Sequence, residues 1–395
     1  MHLPSHYFTI VFLCLLFVLS CEDESREGEV VVHPVKEKIP YSNETAKMLE
    51  VLDAGDYLGE LPDNISLLYR ILNNNIELDS SELDVLTSSK IDLSSLNDST
   101  IIILDKEQNQ LVGYNLLRNK ADVIAEQGRG PGDLIFAEEL SVFKNKLYVA
   151  SQSFQISVFD CQAGKCVDDG IVQTDYSTYS ISPTHNFLYY VGTTPYGHGD
   201  RVNGESESLE QFSVHKVNLE GELVSSYMPF YRDDSPIVNN RIMSDGRVRS
   251  FPEFERTITT FKYFPYLFIH SLDGRLLDKY ELYGFKEAKN VESKVGELST
   301  TLTFDGDYTY LRYTKKIGDE WLLVKLQEYR NVDYVFNEKI YGDTWNSYFA
   351  FSLRDQRLYK IGDDRLKEYG ESKIYHITDS GVFFNEEGKI RWIKN

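Results

Sequence analysis

The 395-residue sequence predicts an all-β fold, a six-bladed β-propeller of four-stranded antiparallel blades, and three observations point to it. Aromatic content is high and tyrosine-heavy, with 27 Tyr and 22 Phe against 3 Trp, and aromatic and β-branched residues suit pleated sheets. Apolar alternating runs recur along the chain, each followed by a polar turn and a second run. The turns hold only Gly or Asn, at Asn109, Gly164, Gly221, Gly274, Asn331 and Gly388, with spacings of 55, 57, 53, 57 and 57 residues.

The six units follow in order. Ile101–Asp105 leads to Leu111–Val112, Ile156–Asp160 to Cys166–Val167, and Ser213–Asn218 to Leu223–Val224. Leu267–Asp273 leads to Leu276–Leu277, Leu322–Gln327 to Tyr334–Phe336, and Val382–Asn385 to Ile390–Trp392. Gly and Asn are the residues that best tolerate positive φ in a hairpin turn. A period of this length with several short strands per unit is the pattern of a propeller; stacked arrays or twin sandwiches are the alternative. Unit two shows four strands most clearly, at Glu139–Phe143, Lys146–Ser151, Ile156–Asp160 and Cys166–Val172. Unit four offers Arg241–Ser244, Arg247–Phe251, Tyr266–Ser271 and Leu276–Leu282. The inner strands of unit one are expected within Ile65–Thr100, and Ile390–Lys394 reads as an outer strand, which leaves ring closure open.

The first twenty residues contain no Asp, Glu, Lys or Arg, and Tyr7–Leu19 is a nearly unbroken apolar run. Its thirteen residues are too few to span a bilayer and fit the apolar region of a signal peptide. The run ends at Val18-Leu19-Ser20-Cys21, which resembles the lipobox of bacterial lipoproteins. That resemblance implies cleavage before Cys21 and a lipid on it; an ordinary signal peptide is the alternative. Glu22, Asp23 and Glu24 resemble the surface-export signal of Bacteroidetes lipoproteins. The expected location is therefore the outer membrane at the cell surface, with a periplasm-facing anchor as the alternative. The expected division is a leader over 1–20, an acidic tether over 21–60 with a short helix at Asn43–Leu52, and the propeller over 61–395.

The net charge is −21, which disfavours phosphate backbones and so nucleic acid as a partner. Besides Cys14 in the leader and Cys21, only Cys161 and Cys166 remain. A hairpin through Gln162–Lys165 would set those two face to face, within disulfide distance in an oxidising compartment; free thiols are the alternative.

Gln127–Asp133 contains Gly128-Arg129-Gly130-Pro131-Gly132-Asp133 between units one and two. It resembles the G-x-G-P-G-[DE] motif of six-bladed propeller lipoproteins of Bacteroidetes, relatives of NHL-repeat and TolB-like propellers. The likeness continues through Leu140–Phe143, Leu147–Val149 and Ile156–Asp160, and Asp133 stands where Glu is commoner. Members of that family mostly have no assigned activity, so the resemblance implies fold and location. Pro131 presets φ and Gly132 can take positive φ, as a type II turn at a blade corner requires.

In an a-b-c-d meander the d-to-a and b-to-c loops share one face of the ring, and the a-to-b and c-to-d turns share the other. The six Gly and Asn turns, read as c-to-d, are expected opposite the Gly128–Gly132 corner. The long insertion Thr193–Gln211 joins strands b and c of unit three, on the corner's face, and carries Tyr196, His198, Asp200 and Arg201 as candidate ligand-contacting residues.

No catalytic constellation stands out and no cofactor is expected. The mature histidines His33, His185, His198, His215, His270 and His376 form no local metal motif, so no metal ligand is assigned. A G-x-S-x-G elbow is absent, and Ser271–Gly274 resembles a sialidase Asp-box without its downstream Trp. The sequence therefore favours a binding or scaffold module for a glycan, a peptide or an envelope protein. The alternative is a metal-dependent lyase or hydrolase with histidines gathered in the channel.

Overall fold

The structure is a computed structural model. It describes residues 30–34, 38–74, 80–88, 90–162, 165–193, 212–231, 236–287, 290–294, 300–303, 307–330, 333–335, 338–340, 343–366, 374–386 and 389–394. Six sheets of four antiparallel blade strands form the propeller ring. Strands are lettered a to d from the channel outward.

Blade one is Ile91–Asn97, Thr100–Asp105, Gln110–Asn115 and Lys120–Ala125. Blade two is Ala137–Phe143, Lys146–Ser151, Gln155–Gln162 and Lys165–Gln173. Blade three is Ser177–Pro183, Phe187–Thr193, Phe212–Asn218 and Leu223–Pro229. Blade four is Arg247–Phe251, Arg256–Thr260, Tyr266–Ser271 and Leu276–Glu281. Blade five is Tyr308–Ile317, Trp321–Arg330, Asp343–Ser352 and Arg357–Leu366. Blade six takes Ile374–Thr378, Gly381–Glu386 and Lys389–Lys394 from the C-terminus, and its strand d is Ser81–Leu86.

That last strand closes the ring. Ser81 and Glu82 pair antiparallel with Trp392 and Arg391, and Leu86 pairs with Lys389. Leu83 is buried against the same core as Phe383, Ile390, Ile101 and Tyr114, which joins blade six to blade one. Ile390–Lys394 is thus a third strand, not the outer strand the sequence suggested.

The repeat has the expected number of units, but its phase slips. Gly164, Gly221 and Gly274 lie between strands c and d, whereas Asn109, Asn331 and Gly388 lie between b and c. Any two neighbouring antiparallel strands joined by a Gly or Asn turn look alike in sequence. In blade one the true outer strand, Lys120–Ala125, is mostly solvated and carries little apolar signal. In blade six the outer strand comes from the other end of the chain. Asn109 therefore belongs to the corner's side of the ring, not the opposite side; Gly164, Asn331 and Gly388 lie outside the described residues.

Two further expectations change. Arg241–Ser244 belongs to the helix Pro236–Ser244, which occupies the connection into blade four, so Arg247–Phe251 becomes that blade's inner strand. Asn43–Leu52 is not helical: Lys47–Met48 pairs in parallel with blade four's outer strand, and Val51–Asp53 does so with blade five's. The helix comes later, at Asp63–Asn74, with Ile65 and Leu68 buried among residues of blades five and six.

This N-terminal arm is fastened along its length. Ile39 lies in the core shared by blades three and four, and Leu49 in the core of blades four and five. The Lys279 ammonium donates to the Tyr41 and Glu44 carbonyls at 3.1 and 3.4 Å. Tyr41 packs against Phe268 and His270, and Lys47 pairs with Asp278. Earlier in the chain, Val30–Pro34 pairs with Asn290–Lys294 of a hairpin that follows blade four.

Because closure rests on a strand from the opposite terminus, truncating Leu83 to Ala should cost about 2–5 kcal/mol. In hydrogen exchange, protection should fall first over 374–394; a loss spread evenly over all six blades would contradict this closure.

Candidate functional site

The inner strands present one sheet edge each to the channel, where no neighbouring strand can pair with them. Side chains of the preceding blade take that role. Asp92 of blade one accepts the Leu140 N–H of blade two at 3.1 Å. Glu139 of blade two accepts the Ile181 N–H of blade three at 2.9 Å. Ser180 and Ser182 of blade three accept the N–H groups of Val248 and Ser250 in blade four at 3.2 and 2.8 Å. Arg249 of blade four donates to the Thr314 carbonyl of blade five at 2.7 Å through Nη2 and 3.1 Å through Nε. Ser380 of blade six meets Ser95 of blade one at 3.1 Å.

Arg249 also reaches across the channel. Its Nη1 donates to Glu139 Oε2 at 3.3 Å and its Nη2 pairs with Oε1, a two-pronged contact between side chains that are 10% and 8% exposed. Lys315 of blade five donates to the Leu93 carbonyl of blade one. Burial pulls the Lys315 ammonium below the usual lysine range, and Asp92 opposes that pull.

These side chains line a cavity of about 310 Å³ to which all six blades contribute. Phe143, Lys144, Gly318, Asp319 and Asp379 stand at its mouth, all in or beside a-to-b turns, so it opens on the face opposite the Gly128–Asp133 corner. His185, in the a-to-b turn of blade three, packs edge-on to Phe143 at 5.1 Å. Cations and carboxylates are balanced in the lining: Arg249, Lys315, Lys316 and Lys144 stand with Asp92, Glu139, Asp319 and Asp379.

Beside the mouth lies a groove of about 680 Å³ that shares Ile317, Gly318, Asp319 and Asp379 with the channel. Pro62, Phe254, Ile317 and Trp321 give it apolar walls, and Asp63, Glu253, Asp319 and Asp379 put carboxylates around them. Its Arg354 is held by Glu320 at 2.8 Å. Asp63 begins the helix of the N-terminal arm, so the arm completes the groove.

The residues singled out from sequence fall elsewhere. Gly130–Asp133 forms a turn with Asp133 N–H on the Gly130 carbonyl at 3.1 Å and Gly132 at φ +79°, the type II geometry expected of the motif. The Asp133 carboxylate accepts the Gly130 N–H at 2.6 Å, and a Cβ on Gly128 would collide with that carboxylate at 2.1 Å. The motif is thus a self-braced corner, with Arg129 in its exposed part. Cys161 and Cys166 are paired across strands c and d of blade two and joined by a disulfide. Tyr196, His198, Asp200 and Arg201, like Cys21, lie outside the described residues.

The buried histidines are dispersed. His215 lies in blade three, stacked on Tyr176 at 3.9 Å, His270 in blade four and His376 in blade six. Among the described residues, no three His, Cys, Asp or Glu side chains gather where a metal ion could be held. Sequence reasoning missed Asp92, Glu139, Arg249 and Lys315. The available signal was a charged residue within the innermost strand of four units, where an all-apolar or hydroxyl run would otherwise serve.

No protein-family model matches the sequence, and no curated protein does. Among solved structures the fold is similar to a candidate exported protein of Bacteroides fragilis, at 13% identity and TM-score 0.49, over 79% of this chain and 85% of that one. It is also similar to a DUF4221 member from Bacteroides vulgatus, at 9% identity and TM-score 0.44, over 93% and 96% of the two chains. A Bacteroides thetaiotaomicron protein of unknown function shares 8% identity at TM-score 0.42, over 92% and 76%.

Two predictions follow from the channel. Replacing Arg249 with Met leaves Glu139 buried without its partner and should cost about 3–5 kcal/mol in denaturant unfolding. Adding Glu139→Leu should cost much less than the sum of the two single changes; strict additivity would mean that the pair does not act as a unit.

Burial draws His215 down to about 4 and His270 to about 3, and burial with nearby Lys315, Lys325 and Lys106 holds His376 well below the usual range. The unfolded chain then binds protons that the folded chain refuses below about pH 6.5. Stability should therefore be full above that pH and fall as the pH drops towards 4, by up to about 1.4 kcal/mol per unit for each histidine. His215→Phe should flatten that slope, and an unchanged slope would refute the assignment.

Proposed function

We propose that this protein is a lipid-anchored envelope protein whose propeller binds a peptide segment of a partner protein at the a-to-b end of its channel. One observation carries the reading: the groove with apolar walls and five carboxylates, of which Glu320 holds Arg354, continuous with the channel mouth. Phe254 offers apolar surface beside the buried Trp321, while Asp63, Glu253, Asp379 and Asp319, the last 3.5 Å from Lys316, favour a Lys or Arg side chain of the ligand. A neutral glycan would stack on the aromatic surface and donate hydroxyls to the carboxylates, but it brings no positive charge to neutralise them. Net charge −21 favours a partner with local positive charge and disfavours nucleic acid.

The lipobox-like Val18–Cys21 and acidic Glu22–Glu24 support anchoring at Cys21 on the outward face of the outer membrane. Among the described residues no helix is long and apolar enough to cross a membrane. Mass spectrometry of the membrane-extracted protein should find acyl chains on Cys21, and Cys21→Ser should release it to the soluble fraction.

For the groove, the expected result is tighter binding of apolar–basic peptides than of acidic or neutral ones, weakening as salt rises. The pair Asp319→Asn with Glu253→Gln should lower that affinity at least fivefold. Equal affinity for acidic peptides, or preference for a neutral oligosaccharide untouched by the two changes, would overturn the peptide reading.

A further inference from the structure

The outer rim of the ring is asymmetric. In blade four the outer strand carries Lys47–Met48 as a fifth strand, and in blade five it carries Val51–Asp53, both in parallel. The helix Asp63–Asn74 packs against the outer strand of blade five and reaches blade six. In blades one, two, three and six, strand d ends the sheet among the described residues.

Exposed apolar side chains follow the same division. Among the described residues, ten large hydrophobic side chains are exposed, and seven of them lie on the c-to-d hairpins of blades one to three: Leu117, Val123, Val167, Ile171, Leu219, Leu223 and Val224. The outer strands of blades four and five contribute none of the ten. The hairpins of blades two and three touch, since a Cβ on Gly221 would lie 2.9 Å from the Gln173 carbonyl. Blade two's outer strand, Lys165–Gln173, is nine residues long with a bulge at Asp168–Gly170, where Gly170 takes φ +106°; Val167 and Ile171, about half exposed, stand on either side of the bulge, and one end is fixed by the disulfide. The bulge divides the edge in two, and Val167 and Ile171 are the β-branched residues that an added strand would meet on either side of it.

We infer that the outer strand of blade two, flanked by Leu223 and Val224 of blade three, is a docking edge for an extended, basic and apolar segment of a different polypeptide, added as a fifth strand. The chain's own arm shows that the outer edges of this ring accept such an addition. Charge selects the occupant. The two hairpins carry Asp160, Asp168, Asp169, Glu220 and Glu222 against Lys165 and Lys216, with Asp169 paired to Lys146 at 2.6 Å, and the chain as a whole is at −21, so a second copy would be repelled. This surface is separate from the groove at the channel mouth and does not depend on the reading given for that groove.

The test uses the full-length protein and a fluorescent nine-residue peptide of alternating valine and lysine. A valine–glutamate version and a valine–lysine version interrupted by proline serve as controls. The valine–lysine peptide should bind, the controls at least tenfold more weakly, and amide exchange should slow over 165–173. Val167→Glu combined with Ile171→Glu should weaken binding at least tenfold in a variant whose circular dichroism and melting curve match the parent. Tyr283→Glu, which alters an exposed aromatic outside the rim, should have no effect. Asp319→Asn with Glu253→Gln should also leave rim binding unchanged, which separates this site from the groove. Equal binding of the proline-interrupted peptide, or binding insensitive to the Val167 and Ile171 changes, would overturn the inference. So would the absence of binding, or self-association of the parent protein through this edge.

Discussion

Six strand edges converge on the axis of this ring, and none can be satisfied by a seventh strand. An unpaired backbone N–H in such a confined place is costly, so each inner strand needs an acceptor from elsewhere. Asp92, Glu139, Ser180 and Ser182 provide it by reaching from one blade to the next. Arg249 then does double work, fixing blade five through the Thr314 carbonyl and holding Glu139 in place across the channel. The ion pair is more than a local contact, because Glu139 can serve blade three only while its charge is compensated.

The same solution leaves the channel polar and shapes the site. Had the inner strands been capped by apolar packing alone, the axis would be dry. Instead charged and hydroxyl side chains surround a cavity whose lining reaches the a-to-b turns. There the N-terminal arm supplies Pro62, Asp63 and Asn64, turning an open mouth into a groove. The arm therefore links three roles in one segment: it covers the edges of blades four and five, walls the groove, and closes blade six through Ser81–Leu86.

Coverage of one half of the rim defines the other half. Blades four and five carry added strands from the N-terminal arm, while among the described residues blades one, two, three and six end at strand d, and the c-to-d hairpins of blades one to three hold most of the large apolar side chains that face solvent. The two candidate surfaces differ in chemistry. The groove offers carboxylates around an aromatic wall, and the rim offers backbone pairing with β-branched contacts. A partner protein could engage either without blocking the other, because one lies at the channel mouth and the other at the periphery.

Much of the architecture was legible in the sequence, because alternation and turn chemistry are local. Blade two was read strand by strand, the Gly130–Asp133 turn followed from Pro131 and Gly132, and the facing of Cys161 and Cys166 followed from hairpin geometry. What failed was non-local. The phase of the repeat slipped in blades one, five and six, since a b-to-c turn and a c-to-d turn use the same residues. The closing strand Ser81–Leu86 could not be assigned, because its partner lies some three hundred residues away. Asn43–Leu52 reads as a weak helix in isolation and becomes extended only because outer edges are available to pair with it.

The sequence by itself determined the class of fold, the number of blades and the corner between blades one and two. Tertiary structure alone decided which charged residues face one another. Asp92, Glu139, Arg249 and Lys315 come from four different units and meet only when the ring closes, so no spacing along the chain announces them. Acceptors for the inner edges, the groove and the uncovered rim all depend on that closure, whereas the strands that build it depend on their neighbours in sequence.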